Sequence, residues 1–190
     1  MTEATDDGEP PAPGTRARRV AVTGTPGTGK TTATELLVEP TNVVHLNELV
    51  REEGLWTERD ETRDSLVVDL PAVRDRLGDW EGIVESHVAH HLEADRVVVL
   101  RCRPDVLERR LLDRGESPET ALENRESEAL DVILSEAVER HGRENVYEVD
   151  TTDRSSQRVA GEIAAVVAGD REPSAGTVDY LEYLPEASEP

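Results

Sequence analysis

Short apolar runs separated by amphipathic stretches organise the chain from residue 19 onward. RVAVTG at 19–24 is apolar on successive residues and then breaks into glycine, which predicts a buried strand entering a tight loop. NVVHL (42–46), GIVESH (82–87), RVVVLRC (96–102) and NVYEVD (145–150) repeat that pattern. Between them, apolar residues recur at helical spacing. Residues 30–38 predict a helix stopped near Pro40, and 69–77 another with Pro71 in its first turn. RPDVLERRLLDRG predicts a helix capped by Asp105, with Leu107, Leu111 and Leu112 facing inward and Gly115 at its end. Ser117 opens a further helix reaching about His141, and 155–169 is a last amphipathic one. Strands alternating with helices predict an α/β fold, a parallel sheet with helices on both faces.

Two polar stretches interrupt the alternation, about 45–68 and 114–125. The first reads as short helical pieces with little core. Residues 1–17 hold few apolar positions and read as a disordered acidic arm. Residues 18–169 form the expected single domain, and 170–190 read as an acidic flexible tail with one aromatic cluster, YLEYL.

Composition adds exclusions. No apolar run reaches the ~18–20 residues that a membrane helix needs. The N-terminus, acidic and rich in Pro and Gly, has no apolar core and is not a secretory signal. A lone cysteine, Cys102, excludes an internal disulfide framework and a multi-cysteine zinc site, and reads as a small packed residue. A cytoplasmic protein is expected. Its net charge of −21 disfavours direct contact with nucleic acid or anionic lipid.

Lysine is nearly eliminated: Lys30 is the sole lysine among 21 Lys and Arg residues. With abundant carboxylates, this resembles a halophilic protein, because in molar salt the Debye length shrinks to ~3 Å and self-repulsion is screened. Its melting temperature is therefore expected to rise from low to molar KCl. A flat or falling series would leave an ordinary acidic protein instead.

The surviving lysine sits in the candidate chemistry. Gly24-Thr25-Pro26-Gly27-Thr28-Gly29-Lys30-Thr31 matches G-x-x-x-x-G-K-[ST] at every fixed position, after a predicted strand and before a predicted helix. Glycines at Gly24, Gly27 and Gly29 let backbone N–H groups turn inward around phosphate oxygens. Lys30 would reach the β- and γ-phosphates of ATP, and the Thr31 hydroxyl would ligate Mg²⁺. A second anchor for Mg²⁺ should be an acid at a neighbouring strand end. Glu85 is the candidate, with His87 two residues on and on the same side of an extended chain. Arg109, Arg110 and Arg114 follow the fourth strand, and Arg110 and Arg114 share one helix face. Phosphoryl transfer needs such cations to close on the transferring group. The alternative is a solvated basic face offset by Glu108 and Asp113. Arg51, in LVREEG, would clamp a second phosphate.

These segments together resemble a known family. A GTPGTGKTT loop recurs in small nucleoside monophosphate kinases. VREEGLW at 50–56, Asp-Glu at 60–61, IVESH at 83–87, VLRCRPDVLERRLLDRG and ENRESEAL are similar to the adenylate kinase isoenzyme 6 family over about residues 19–165. That family includes small-subunit ribosome-assembly NTPases of archaea and eukaryotes. The resemblance implies a P-loop NTPase with a five-stranded doubly wound sheet ordered 2-3-1-4-5. ATP would lie on the glycine loop, with AMP or another monophosphate between residues 45–68 and a short lid at 114–125.

By the same resemblance, Gly27, Thr28, Gly29, Lys30, Thr31 and Thr32 match the ATP-phosphate loop. Arg51 matches a monophosphate-binding arginine, Arg114 the lid arginine, and Arg110 lies one turn before it. His87 matches the histidine of an Asp-x-His element, whereas Glu85 departs from its aspartate by one methylene. Without lid cysteines, a zinc-stapled lid is excluded. The implied activity is a broad adenylate kinase with ATPase activity, and the implied partner a basic small-subunit ribosomal protein. The competing readings are an ATPase switch with little kinase turnover, or another small-molecule P-loop kinase.

Overall fold

Residues 14–37, 42–60 and 65–184 are described by the structure, a computed structural model. The chain enters β1 (Arg19–Thr23), crosses the glycine loop into α1 (Lys30–Glu35), and continues through β2 (Val43–His45) and α2 (Leu46–Glu53). A hairpin of β3 (Trp56–Asp60) and β4 (Ser65–Val68) leads to α3 (Leu70–Leu77) and β5 (Gly82–Glu85). Then come β6 (Arg96–Arg101), α4 (Pro104–Asp113), α5 (Pro118–Ala129), α6 (Val132–His141), β7 (Val146–Asp150) and α7 (Ser156–Ala168).

Five strands form one sheet in the order β2-β5-β1-β6-β7. Every neighbouring pair is parallel. Counted along the chain, this is the expected 2-3-1-4-5. Successive residues point to opposite faces, and both faces are covered, which is why the runs are apolar throughout. Val20, Val22, Val98 and Leu100 pack with Val159, Ile163 and Val166 of α7. Ala21, Val84, Val97 and Val99 pack on the other face with Leu46, Val73, Leu134 and Ala137. Each fully buried Val, Leu or Ile contributes ~1.5–3 kcal/mol.

This order positions the site. β1 lies between β5 and β6, and the chain leaves the sheet centre in opposite directions on either side. The crevice at such a switch point opens at the carboxyl ends of the strands, where Gly24 begins the loop. Gly24 has φ +140°, and a Cβ there would meet the Leu100 carbonyl oxygen at 2.4 Å. Only glycine allows the loop to leave the sheet so close to β6.

Several expectations change. The helix expected from Ser117 to His141 is two, α5 and α6. Asp131 between them takes φ +56°, and its carboxylate accepts from Arg101 Nη2. The break brings Asp131 and Glu128 to the same guanidinium. Leu107 and Leu111 are buried as expected, but Leu112 is 42% exposed, because it lies about 100° round the helix from Leu111. Asp105 does not cap α4; Arg103 holds the cap position, and Asp105 pairs with its guanidinium at 2.6 Å.

The excursion at 45–68 contains the helix α2, but also the β3–β4 hairpin, which the polar sequence did not suggest. Leu66 and Val68 alternate toward the core while Val67 points outward. The short lid reduces to a turn, since Ser117 caps α5 by accepting from Thr120 N.

The ends are also corrected where they are described. Ala17 is buried and donates its N–H to the Val167 carbonyl at 2.9 Å, so ordered chain begins before the expected boundary. Residues 1–13 lie outside the described residues. Of the expected flexible tail, 170–184 packs against β7: Ser174 N–H donates to Val146 O at 3.1 Å, and Thr177 N–H to Glu148 Oε2 at 2.6 Å. Tyr180 is buried over Arg101, its ring centroid 5.4 Å from the guanidinium carbon. The remainder, 185–190, lies outside the described residues.

Candidate active site

A cleft of about 720 Å³ opens at the carboxyl end of β1, floored by the loop from Pro26 to Thr32. Gly27 and Gly29 hold φ +92° and +91°, the left-handed region that glycine enters without penalty. Gly24 lies beneath the loop and does not line the cleft; its part is the close approach to β6. Thr28 Oγ1 donates to Thr25 O at 2.9 Å. The Thr25 hydroxyl in turn donates to the Glu128 carboxylate. Glu128 also accepts from Arg101 Nε at 2.8 Å and from Cys102 N–H at 3.0 Å. One buried carboxylate thus ties the loop to the end of β6.

Lys30 is the first residue of α1 and is buried. Its Nζ donates to Gly24 O at 2.8 Å and Thr25 O at 3.2 Å. Burial lowers its pKa to about 8, opposed by Glu85 and Glu128 and assisted by Arg114. It stays cationic at neutral pH.

Thr31 Oγ1 donates to Glu85 Oε1 at 2.9 Å, and His45 Nδ1 lies 2.9 Å from the same oxygen. Glu85 Oε2 is buried and has no hydrogen-bond partner among the described residues. A buried acceptor left unpaired costs ~1–3 kcal/mol, more when charged. A hydroxyl and a carboxylate side by side, both lining the cleft, are the hard oxygen donors that Mg²⁺ prefers. The extra methylene of Glu85 relative to aspartate is compatible with this contact to Thr31. The residues present therefore fit a divalent cation.

His87 lines the cleft. Burial, then the Lys30 charge, pushes its pKa down to about 4, so its ring is neutral at pH 7. Arg110 and Arg114 line the opposite wall. Arg110 donates to Thr151 O at 3.1 Å and Thr152 O at 3.2 Å, which fixes it against the end of β7. Arg114, the C-cap of α4, is exposed at the mouth.

Two expected residues stay outside. Arg109 is exposed and 3.9 Å from Asp105, away from the lining. Arg51 is exposed on the last turn of α2 and does not line the cleft. Asn47 does, one turn earlier on the same helix face, and accepts from Ser86 Oγ at 2.8 Å. Asn47, Arg154 and Glu128 were not singled out in the sequence. Arg154 carried a usable signal, since it follows the fifth strand at the carboxyl edge. Glu128 carried none, because its burial depends on the α5–α6 break.

A parallel sheet of this order, with the glycine loop, Lys30 and Thr31 at its switch point, defines a P-loop nucleotide-binding fold. The AAA domain family model matches residues 20–131. Relatives bearing the name "Putative adenylate kinase" include one from Natronomonas pharaonis, 63% identical over 167 residues, covering 87% of this chain and 99% of the relative. Another, from Halobacterium salinarum, is 61% identical over 168 residues with the same coverage. A third, from Methanosarcina acetivorans, is 39% identical over 187 residues, again covering 87% and 99%. The chain belongs to this archaeal adenylate kinase family.

Among solved structures, shikimate kinase from Acinetobacter baumannii in complex with shikimate aligns with a TM-score of 0.55 at 18% identity, covering 81% of this chain and 94% of that one. Shikimate kinase from Bacteroides thetaiotaomicron aligns with a TM-score of 0.51 at 19% identity, covering 78% and 96%. These are likenesses of fold. No helix among the described residues is long and apolar enough to cross a membrane.

Proposed function

We propose that this chain is a cytoplasmic nucleoside monophosphate kinase that transfers the γ-phosphoryl group of ATP to AMP or a similar monophosphate. The observation that carries the reading is the convergence on one cleft of the loop lysine, the Thr31–Glu85 pair with its unpartnered oxygen, and Arg114. Mg²⁺, held by Thr31 and Glu85, would neutralise phosphate charge. Backbone N–H groups between Gly27 and Thr32 would hold the triphosphate, apart from that of Thr28, which donates to Thr25 O at 3.2 Å. Lys30 exchanges the Gly24 and Thr25 carbonyls for phosphate oxygens. Arg110, fixed by the β7 carbonyls, is preorganised, while Arg114 is placed to close over the transferring group. The acceptor oxygen attacks phosphorus as the bond to the β–γ bridging oxygen breaks, with the electron pair leaving on ADP.

The neutral ring of His87 bears on the acceptor. A monophosphate brings an ionised oxygen and needs no base. Water must lose a proton, and a histidine with a pKa about 4 is a weak base for it. ATPase activity is therefore proposed as the slower of the two reactions. Arg51 would meet the monophosphate only after movement of α2, with Asn47 already at the cleft.

The test is an assay in molar KCl with ATP and AMP, CMP, GMP, UMP or no acceptor. Acceptor-dependent ADP is expected, with AMP among the acceptors; its absence would leave an ATPase or another small-molecule kinase. Arg114→Ala should lower turnover ~10²-fold while leaving ATP affinity nearly unchanged, because a lid cation acts mainly on the transition state. Equal losses in both would indicate ground-state binding only.

The charge of −21 favours a second element of this reading, ATP-dependent association with a basic small-subunit ribosomal protein during subunit maturation. Co-purification of such a protein that does not depend on ATP would count against it.

A further inference from the structure

A group of side chains outside the cleft has no part in this reaction. His90 and His91 lie on a single 3-10 turn, Ala89–His91, after β5, and Glu136 lies on α6. One ligand atom from each lies within 4.8 Å of the others. None of the three lines the nucleotide cleft.

Their hydrogen bonds determine which atoms are free. Thr23 Oγ1 donates its single proton to the His87 carbonyl at 3.2 Å. The same oxygen lies 2.9 Å from His90 Nδ1. With the hydroxyl proton on that carbonyl, Nδ1 carries the ring proton and Nε2 keeps a lone pair. Nε2 faces Glu136 Oε2 at 2.9 Å. In that tautomer the two facing acceptors need a cation between them, a proton or a metal ion. His91 Nε2 stands 3.7 Å from the same Glu136 oxygen. Metal–ligand bonds of ~2.0–2.1 Å at tetrahedral angles put donor atoms ~3.3–3.4 Å apart, between the 2.9 Å from His90 to Glu136 and the 3.7 Å from His91 to Glu136.

The geometry points to a second metal site, in which His90 Nε2, His91 Nε2 and the Glu136 carboxylate bind one divalent transition-metal ion of the zinc, cobalt or nickel class. Imidazole nitrogen favours these ions over Mg²⁺. The hydrogen bond from Nδ1 to Thr23 orients His90, as a carboxylate or carbonyl does for other metal-bound histidines. Neighbouring charge is mixed: Arg74 donates to the His91 carbonyl at 2.9 Å, Arg140 lies near on α6, and His141 Nε2 lies 2.7 Å from the His90 carbonyl oxygen. With both cationic neighbours on the His91 side, the Glu136 carboxylate is the charge that makes the site attractive to a cation. The ion would clamp α6 to the turn after β5 and, through Thr23, to the residue preceding Gly24. It makes the stability of the loop's anchor respond to a metal other than that of the nucleotide.

The full chain, freed of metal with a chelator in molar KCl, should be titrated with Co²⁺ and then Zn²⁺. One equivalent of Co²⁺ should bind with visible absorption bands of nitrogen ligation. Zn²⁺ should displace it, a large excess of Mg²⁺ should not, and the melting temperature should rise by several degrees. His91→Ala and Glu136→Gln should each weaken binding ~10–100-fold. Their side chains are 24% and 47% exposed, so both variants should fold like the parent. Zn²⁺ should also shift the ring Nε2 resonances of His90 and His91 in the unmodified chain. Absence of saturable binding, displacement by Mg²⁺, retention of affinity in both variants, or unmoved ring resonances would overturn the site and leave a proton on His90 Nε2.

Discussion

Lys30→Met is expected to abolish phosphoryl transfer and, at neutral pH, to raise the melting temperature of the nucleotide-free protein. The loss of activity follows from removing the mobile charge of the loop, and should be ~10³-fold or more. Lys30→Arg should not restore it, because a planar fork does not replace a compact ammonium inside a tight loop. The gain in stability follows from burial. The lysine pKa falls from 10.5 to about 8 in the folded chain. Below the folded value both states are charged, and the whole penalty of burying the ammonium is present. As pH rises from the folded toward the unfolded value, the folded lysine is already neutral while the unfolded one is not, and the penalty fades. At ~1.4 kcal/mol per unit, the neutral-pH penalty is on the order of 3 kcal/mol. Thermal melts of parent and variant at pH 7 and again near pH 10 check this, with the gap narrowing as pH rises. A variant that melts below the parent at neutral pH, or keeps turnover within about tenfold, would contradict it.

Arg101→Leu is the substitution expected to destabilise most, by ~3–5 kcal/mol. Arg101 is fully buried and donates to Glu128 at 2.8 Å and Glu148 at 2.6 Å, as well as to the Asp131 carboxylate. Removing it leaves two buried carboxylates without their cation. The damage should spread in two directions. Glu148 also accepts from Thr177 N–H, so the C-terminal segment should become accessible to protease. Glu128 also accepts from Thr25, so the glycine loop loses its brace. Adding Glu128→Gln and Glu148→Gln should recover part of the loss, because the uncompensated charges are then gone. Chemical denaturation measures the loss; a cost below ~1 kcal/mol would show that the guanidinium is not the hub of this network.

Particular residues show how far the sequence could be read. The five strands were legible because each run is apolar on successive residues, the pattern of a strand covered on both faces, and their order was implied by the family resemblance. The loop from Gly24 to Thr31 was legible because phosphate binding restricts residue types at fixed spacing. Glu85 and His87 were found from their place at a strand end, and both line the cleft. The β3–β4 hairpin was not found, since its strands present few core residues and its pairing is local. The packing of 170–184 was not found either. Polar composition there reads as solvated chain, yet its polar groups are satisfied by Glu148 and Asp150, and Tyr180 covers Arg101. Arg51 was read from a motif and lies outside the cleft, because motif spacing says nothing of how far a helix stands from the loop.

By itself, the sequence determined the layers and the nucleotide loop, because periodicity and the loop motif are local properties of the chain; the sheet order came with its resemblance to a family. Only the tertiary structure decided which charges meet. Glu128, Asp131 and Glu148 are spread over three elements, and nothing in their neighbours along the chain distinguishes them from solvated acids. The bend at Asp131 and the pairing of β7 with β6 bring them around Arg101 in a buried place where each charge requires a partner. Likewise, Thr31, His45 and Glu85 become one site only because β2, β5 and β1 lie side by side, with their carboxyl ends at one edge of the sheet.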